Sequence, residues 1–128
     1  MKSAFLLSND GGLDSLVRSL LVAQGAHATP DSVQLSQEGP GRGSFVYYGR
    51  VKPEVEWEFR DPPWEAADGV ALPDMATVDG YYVECRWEEQ VAEVARALAE
   101  ASPSPLWVMD SNGVVWDAAG VDPARIHL

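Results

Sequence analysis

Apolar residues recur along this chain with two different periods, and the switches between them predict the elements of an α+β protein. Ala4-Phe5-Leu6-Leu7 is a short apolar run closed by the turn residues Ser8 to Gly12, and reads as a strand. Leu13, Leu16, Val17, Leu20 and Leu21 then fall on one face of a helix over 13–24. Asn9 or Asp10 can cap its start, and Gly25 ends it. A short strand is expected from Ser32 to Gln37, followed by a flexible loop, Glu38 to Gly43. Period two begins again at 44–51, where Phe45, Tyr47 and Val51 alternate with Val46, Tyr48 and Arg50. After a turn at Lys52-Pro53, Val55, Trp57 and Phe59 alternate with Glu54, Glu56, Glu58 and Arg60. That alternation predicts the second strand of a hairpin, with three apolar residues in the core and three glutamates in a row facing water.

Residues 61–77 hold Pro62, Pro63 and Pro73 and follow neither period, so they are expected as a long loop with a short turn around Trp64. A strand over 78–86 places Tyr81, Val83 and Cys85 on one face and Tyr82, Glu84 and Arg86 on the other. The next helix, 88–101, has the apolar stripe Trp87, Val91, Val94, Leu98 and Ala101, with Glu88 and Glu89 complementing its N-terminus. Pro103 and Pro105 stop it, and Leu106–Met109 and Val114–Trp116 flank a hairpin turn at Asn112-Gly113. The tail from Val121 is expected to add a turn and a short edge strand. The expected fold is one α+β domain over 1–128, a mainly antiparallel sheet of five to six strands with two helices packed on one face.

Charge narrows the partners. Of the formal net charge of −11, residues 54–100 carry −10, from thirteen acidic and three basic residues. Nucleic acid and anionic membrane surfaces would be repelled, while a basic protein would be attracted and its association speeded. No apolar run is long enough to span a membrane, and the first eight residues are too short to read as a secretory signal. A single cysteine, Cys85, fits a reducing, cytoplasmic compartment and, in phase with Tyr81 and Val83, is expected to be a buried structural thiol.

Gly11-Gly12-Leu13-Asp14-Ser15, between a strand and a helix, resembles the pyrophosphate-binding loop of the ATP pyrophosphatase superfamily, whose signature reads Ser-Gly-Gly-x-Asp-Ser. That resemblance implies a nucleotide at the helix start. Asp10 stands where the signature has serine, and three strands follow in succession where that family alternates strands with helices. The residues are read instead as a turn and helix cap, with no cofactor. His27 and His127 share no ligand spacing with Cys85, and Asp110-Ser111-Asn112-Gly113 lacks the downstream glutamate of a calcium loop, so no metal site is expected. No serine or cysteine stands in a nucleophile pattern, no catalytic residue is assigned, and a small enzyme ranks last among the readings.

What is left is surface. Trp57, Trp87 and Trp107 are expected in the core, which leaves Trp64 as the exposed anchor, beside the surplus aromatics Tyr48 and Tyr82. The expected partner-binding set is Glu54, Glu56, Glu58, Trp64, Tyr82 and Glu84. The close of the chain, Leu106 to Asp110, Gly113 to Trp116 and Val121-Asp122-Pro123, looks like the ends of small acidic immunity proteins of bacterial toxin–immunity systems. That resemblance implies a stoichiometric inhibitor that neutralises a basic toxin by binding it. From residue 13 onward the element order is also similar to that of type III secretion chaperones, which implies a homodimer holding an effector segment. Their usual third helix has no counterpart here, so the chaperone reading stands second.

Overall fold

The computed structural model describes residues 2–128; Met1 lies outside them. Eight strands form one sheet: β1 (Lys2–Ser8), β2 (His27–Ala28), β3 (Val33–Ser36), β4 (Ser44–Arg50), β5 (Glu65–Ala66), β6 (Asp79–Cys85), β7 (Leu106–Met109) and β8 (Val114–Asp117). Their spatial order is β2-β3-β4-β6-β1-β7-β8-β5. Six of the seven neighbouring pairs are antiparallel, and only β5 runs parallel to its neighbour β8. The fold is thus α+β, with more strands than the sequence pattern announces. The additional ones, β2 and β5, are two-residue strands at the two margins, too short to carry a period.

One face is covered by α1 (Leu13–Ala23) and α3 (Glu88–Ala101). Leu13, Val17 and Leu21 of α1 and Val91, Val94 and Leu98 of α3 pack on Ala4, Leu6, Phe45, Tyr47, Tyr81 and Val83. Helical spacing in the one and alternation in the other bring these residues to one interior. Gly25, at φ +97, ends α1: its N–H donates to Val22 O, and the Ala26 N–H donates to Leu21 O. A left-handed residue is needed there, and glycine adopts it without cost.

The opposite face is half covered by the segment 51–78. Val51, Phe59, Met75 and Val78 pack with Leu7, Trp107, Met109 and Val115 into a second core. The Trp107 indole N–H donates to Ala71 O and ties the loop down. Among the described residues no helix is long and apolar enough to cross a membrane.

Three local expectations are corrected. Residues 54–60 are not a strand: Pro53–Val55 is a turn of 3₁₀ helix and Trp57–Arg60 the short helix α2. Pro53 cannot donate to a ladder and opens that 3₁₀ turn, and Glu56 pairs with Arg60 one helical turn on, at 2.7 Å. Of the three residues expected in the core, only Phe59 is buried; Val55 is 40 % and Trp57 59 % exposed. Trp87, expected in the core, is 38 % exposed, because it precedes the first turn of α3 rather than joining its stripe. Finally the tail forms turns and no strand. Its Ser111–His127 and Asp110–His127 hydrogen bonds replace a ladder.

Cys85 is fully buried, as its phase on the strand implies. Burial, assisted by the charge of Glu88, pushes its thiol up to about 12. Tyr47, also buried, donates to Asp14 Oδ1 at 2.6 Å, and burial and that hydrogen bond together raise its phenol. Both folded values lie above the unfolded ones, so the folded chain holds these protons more tightly. The resulting stability is complete below the unfolded pKa and is lost as pH rises through the folded one. Stability is therefore expected to fall above about pH 9 as the unfolded thiol ionises, and more steeply above about pH 10, by roughly 1.4 kcal/mol per pH unit for each group. Denaturant unfolding across pH 7–11 tests this. Cys85→Ala should delay the onset by about one pH unit; an unmoved onset would refute the assignment.

Candidate protein-binding face

Alternation on β6 turns Tyr81, Val83 and Cys85 toward the helices, so Tyr82 and Glu84 emerge on the other face. The second core covers that face over β1, β7, β8 and the Gly80 end of β6; beyond it, β4 and the rest of β6 are open at exposed Tyr48 and half-buried Tyr82 and Glu84. On β4 the pairing shifts between Tyr47, opposite Val83, and Gly49, opposite Tyr82. Tyr48 is the extra residue of this bulge, and Gly49 takes φ +89 to close it. A bulge bends its strand and re-aims the unpaired side chain, which here leaves Tyr48 45 % exposed.

Phe5 lies opposite Tyr82 across the β1–β6 pair. The result is a row of rings across the sheet: Tyr48 to Tyr82 at 5.6 Å, Tyr82 to Phe5 at 5.7 Å and Phe5 to Phe59 at 5.5 Å between centroids. All three pairs are tilted and within the range that favours aromatic contact. The row grades from exposed Tyr48, through half-buried Tyr82 and Phe5, to fully buried Phe59.

Phe59 fixes the second wall of the site. Its ring lies over Gly80, where an added Cβ would stand 2.4 Å from it. On its other side the Arg60 guanidinium sits 4.8 Å from the ring centroid. Arg60 is itself held by Glu56 and by Met75 O, at 3.2 Å. With Phe59 seated, α2 turns Trp57 and the preceding Val55 outward. Two hollows flank Phe5. One, about 320 Å³, lies between Val51, Val55 and Tyr82; the other, about 530 Å³, runs from Trp57 past Pro62 and Pro63 to the β7–β8 turn. Glu58 borders both.

The charges around this surface lack partners. Among the described residues six of the nine basic side chains pair with a carboxylate, which leaves Lys52, Arg86 and Arg96. Of the twenty acidic residues fourteen have no such pair among the described residues, and Glu54, Glu58, Asp61 and Glu84 are among them. The Glu84 carboxylate beside Tyr48 raises that phenol, which stays a neutral donor at physiological pH. Glu56 is different: the Arg60 guanidinium holds its carboxyl below the usual range.

The six expected binding residues therefore separate. Tyr82 and Glu84 lie on the open face, Glu58 borders it from α2 beside Tyr82, and Glu54 is exposed on the 3₁₀ turn next to it. Glu56 is turned inward to Arg60, so the expected row of three glutamates does not form. Trp64 is half-buried against the second core, its indole N–H donating to Arg60 O at 3.0 Å, and is not the exposed anchor. Trp57 takes that place. The sequence signals for it are Pro53 at a helical first position and the Glu56–Arg60 spacing, both of which favour a helical turn over a strand.

Elsewhere, the Asp10 carboxylate accepts the Gly12 N–H at 2.8 Å and the Ser104 hydroxyl at 3.2 Å. Asp10 thus closes the turn before α1 and does not cap it: the N-cap is Gly12, with no side-chain hydrogen bond, so neither Asn9 nor Asp10 has the capping role the sequence suggests. β1 has antiparallel neighbours on both sides. No group of three His, Cys, Asp or Glu side chains able to hold a metal forms among the described residues. No protein-family model, curated protein or solved structure matches the chain.

Proposed function

We propose that this chain is a stoichiometric protein-binding module of immunity type, which neutralises a basic toxin by covering it with the open face of the sheet. The observation that carries this reading is the aromatic row from exposed Tyr48 to half-buried Tyr82 and Phe5, with exposed Trp57 beside it and unpaired carboxylates around it. Tyrosine and tryptophan supply large contact area with few rotatable bonds, and such residues dominate interface energetics. The carboxylates add rate and selectivity, because a surface short of cations draws a basic partner and repels an acidic one. A toxin that acts on nucleic acid must itself present a basic surface to hold phosphates, and this face complements such a surface in sign. Inhibition by coverage requires nothing more of the inhibitor than a tight, correctly placed surface.

The test is capture of the partner from native lysate, followed by binding kinetics. Tyr48→Ala with Tyr82→Ala is expected to cost about 2 kcal/mol, roughly a thirtyfold faster dissociation. Glu58→Lys with Glu84→Lys should slow association about tenfold at low salt and flatten its salt dependence. Unchanged rates in both pairs would place the interface on another face. Capture of an extended effector segment in place of a folded basic protein would move the chain to the secretion-chaperone class.

A further inference from the structure

We infer that the hollow between Trp57, Phe5 and the Pro62-Pro63 segment is a socket for one arginine side chain of the partner. The inference rests on the reading above, that the partner is a basic protein, and names the group this face would grip.

Phe5, Met109, Trp57 and the two prolines give the hollow an apolar floor, Glu58 and Asp61 give it an anionic rim, and the polar β7–β8 turn from Asp110 to Gly113 closes it. Glu58 and Asp61 are three residues apart along α2 and its end, a spacing that puts two side chains on one side of a helical turn. Both are exposed and neither has a cation within ion-pair distance among the described residues. Among the described residues no Lys, Arg or His lines this hollow or its neighbour across Phe5. Two other hollows already hold cations, Arg125 above the C-terminal tail and Arg42 and Arg86 beside the 38–43 loop, while the hollow between Ala99 and Ala118 lacks cations but also lacks an aromatic ring.

An aliphatic plug would take water from the two carboxylates and return nothing, so it is excluded on cost. A cation with an apolar stem satisfies floor and rim together. Arginine fits better than lysine. Its flat guanidinium stacks on an indole or phenyl face while its five N–H groups bridge two carboxylates, whereas an ammonium is a single strongly hydrated point charge. The chain contains the same arrangement in finished form on the buried side of α2. There Arg60 lies on the Phe59 ring, its Nε–H is paired to Glu56, and an Nη1–H donates to Met75 O. Trp57, Glu58 and Asp61 offer the same chemistry with the guanidinium left out.

The experiment titrates the full chain with acetyl-Gly-Arg-Gly-amide and with its lysine and citrulline counterparts, followed by ¹H–¹⁵N correlation spectra. The arginine peptide is expected to bind with a Kd of roughly 1–10 mM, ordinary for one side chain. Shifts should centre on the Trp57 indole N–H and the amides of Glu58 to Asp61. The lysine peptide should bind several-fold more weakly, and the citrulline peptide, isosteric but neutral, about tenfold or more. Glu58→Gln with Asp61→Asn should abolish the preference for arginine over citrulline, and Trp57→Ala, at an exposed position, should weaken binding without unfolding the chain. Equal response to arginine and citrulline, shifts centred on Glu84 or Glu89, or no response at tens of millimolar would each overturn the socket. That failure is distinct from failure of the functional reading. A captured basic protein whose binding ignores Glu58 and Asp61 would sink the socket alone. Capture of no basic protein would sink the broader reading, while the peptide titration still stands on its own result.

Discussion

Phe59→Ala is expected to lower the stability of the fold by about 3–5 kcal/mol, a large part of what a domain of this size possesses. The ring is fully buried and touches three unlike surfaces: the bare backbone at Gly80, the edge of Phe5 and the guanidinium of Arg60. Removing it opens a cavity that the rigid sheet beneath cannot close. The matching change on the sheet, Gly80→Ala, pushes a methyl group to within 2.4 Å of the ring and should cost about 1–3 kcal/mol. The two sites are in contact, so their effects should not add. In the Phe59→Ala background the added methyl has room, and its penalty should vanish or change sign. Urea unfolding of both single variants and the double variant decides it. Additive losses would mean that Phe59 is not what seats α2 on the sheet, and the placement of Trp57 would then lose its support.

Asp110→Ala should cost about as much, roughly 3–5 kcal/mol, for a different reason. Asp110 is a nearly buried carboxylate in the β7–β8 turn. Its Oδ1 accepts the N–H groups of Asn112 at 2.9 Å and Val114 at 3.0 Å, and its Oδ2 accepts the Trp116 indole and the His127 amide, both at 3.2 Å. Truncation leaves these donors without an acceptor and frees the tail from the hairpin. Asp110→Asn should recover little, because its amide has one acceptor oxygen and must turn an NH₂ group toward either pair of donors. Equilibrium unfolding gives the magnitude, and hydrogen exchange at Ile126 and His127 should accelerate even where the sheet stays intact. Both variants within about 0.5 kcal/mol of the parent would make the residue an ordinary turn aspartate.

Where the hydrophobic period was long, the sequence was enough. Helix α3 was legible at both ends because its stripe runs for three turns between Trp87 and Pro103, and β6 because Tyr81 to Cys85 alternate. The 54–60 segment misleads because its apolar residues satisfy period two and the chain is too short there to test period 3.6. Val55 and Phe59 are also one helical turn apart, and so are Glu56 and Arg60. Period alone does not separate these patterns; Pro53 at the start and the facing Gly80 do, and Gly80 acts only through the tertiary structure. The open face shows the same division. Alternation on β6 identified Tyr82 and Glu84 as outward-facing, whereas Phe5 sits in a run of apolar neighbours, and its membership of the row follows from the β1–β6 register, which no local pattern encodes. Trp64 and Trp57 exchanged roles because the hydrogen bond from the Trp64 indole to Arg60 exists only once α2 has formed.

The two margins of the sheet bear on how the protein behaves when concentrated. A sheet ending in long flat strands offers rows of free N–H and C=O groups to any other chain, and pairing there leads to fibrils or precipitates. Here each margin is closed by a strand of two residues, His27–Ala28 on one side and Glu65–Ala66 on the other. Docking by strand addition would therefore win only a couple of backbone hydrogen bonds at either side. The protein should tolerate high expression levels without self-templating through its edges.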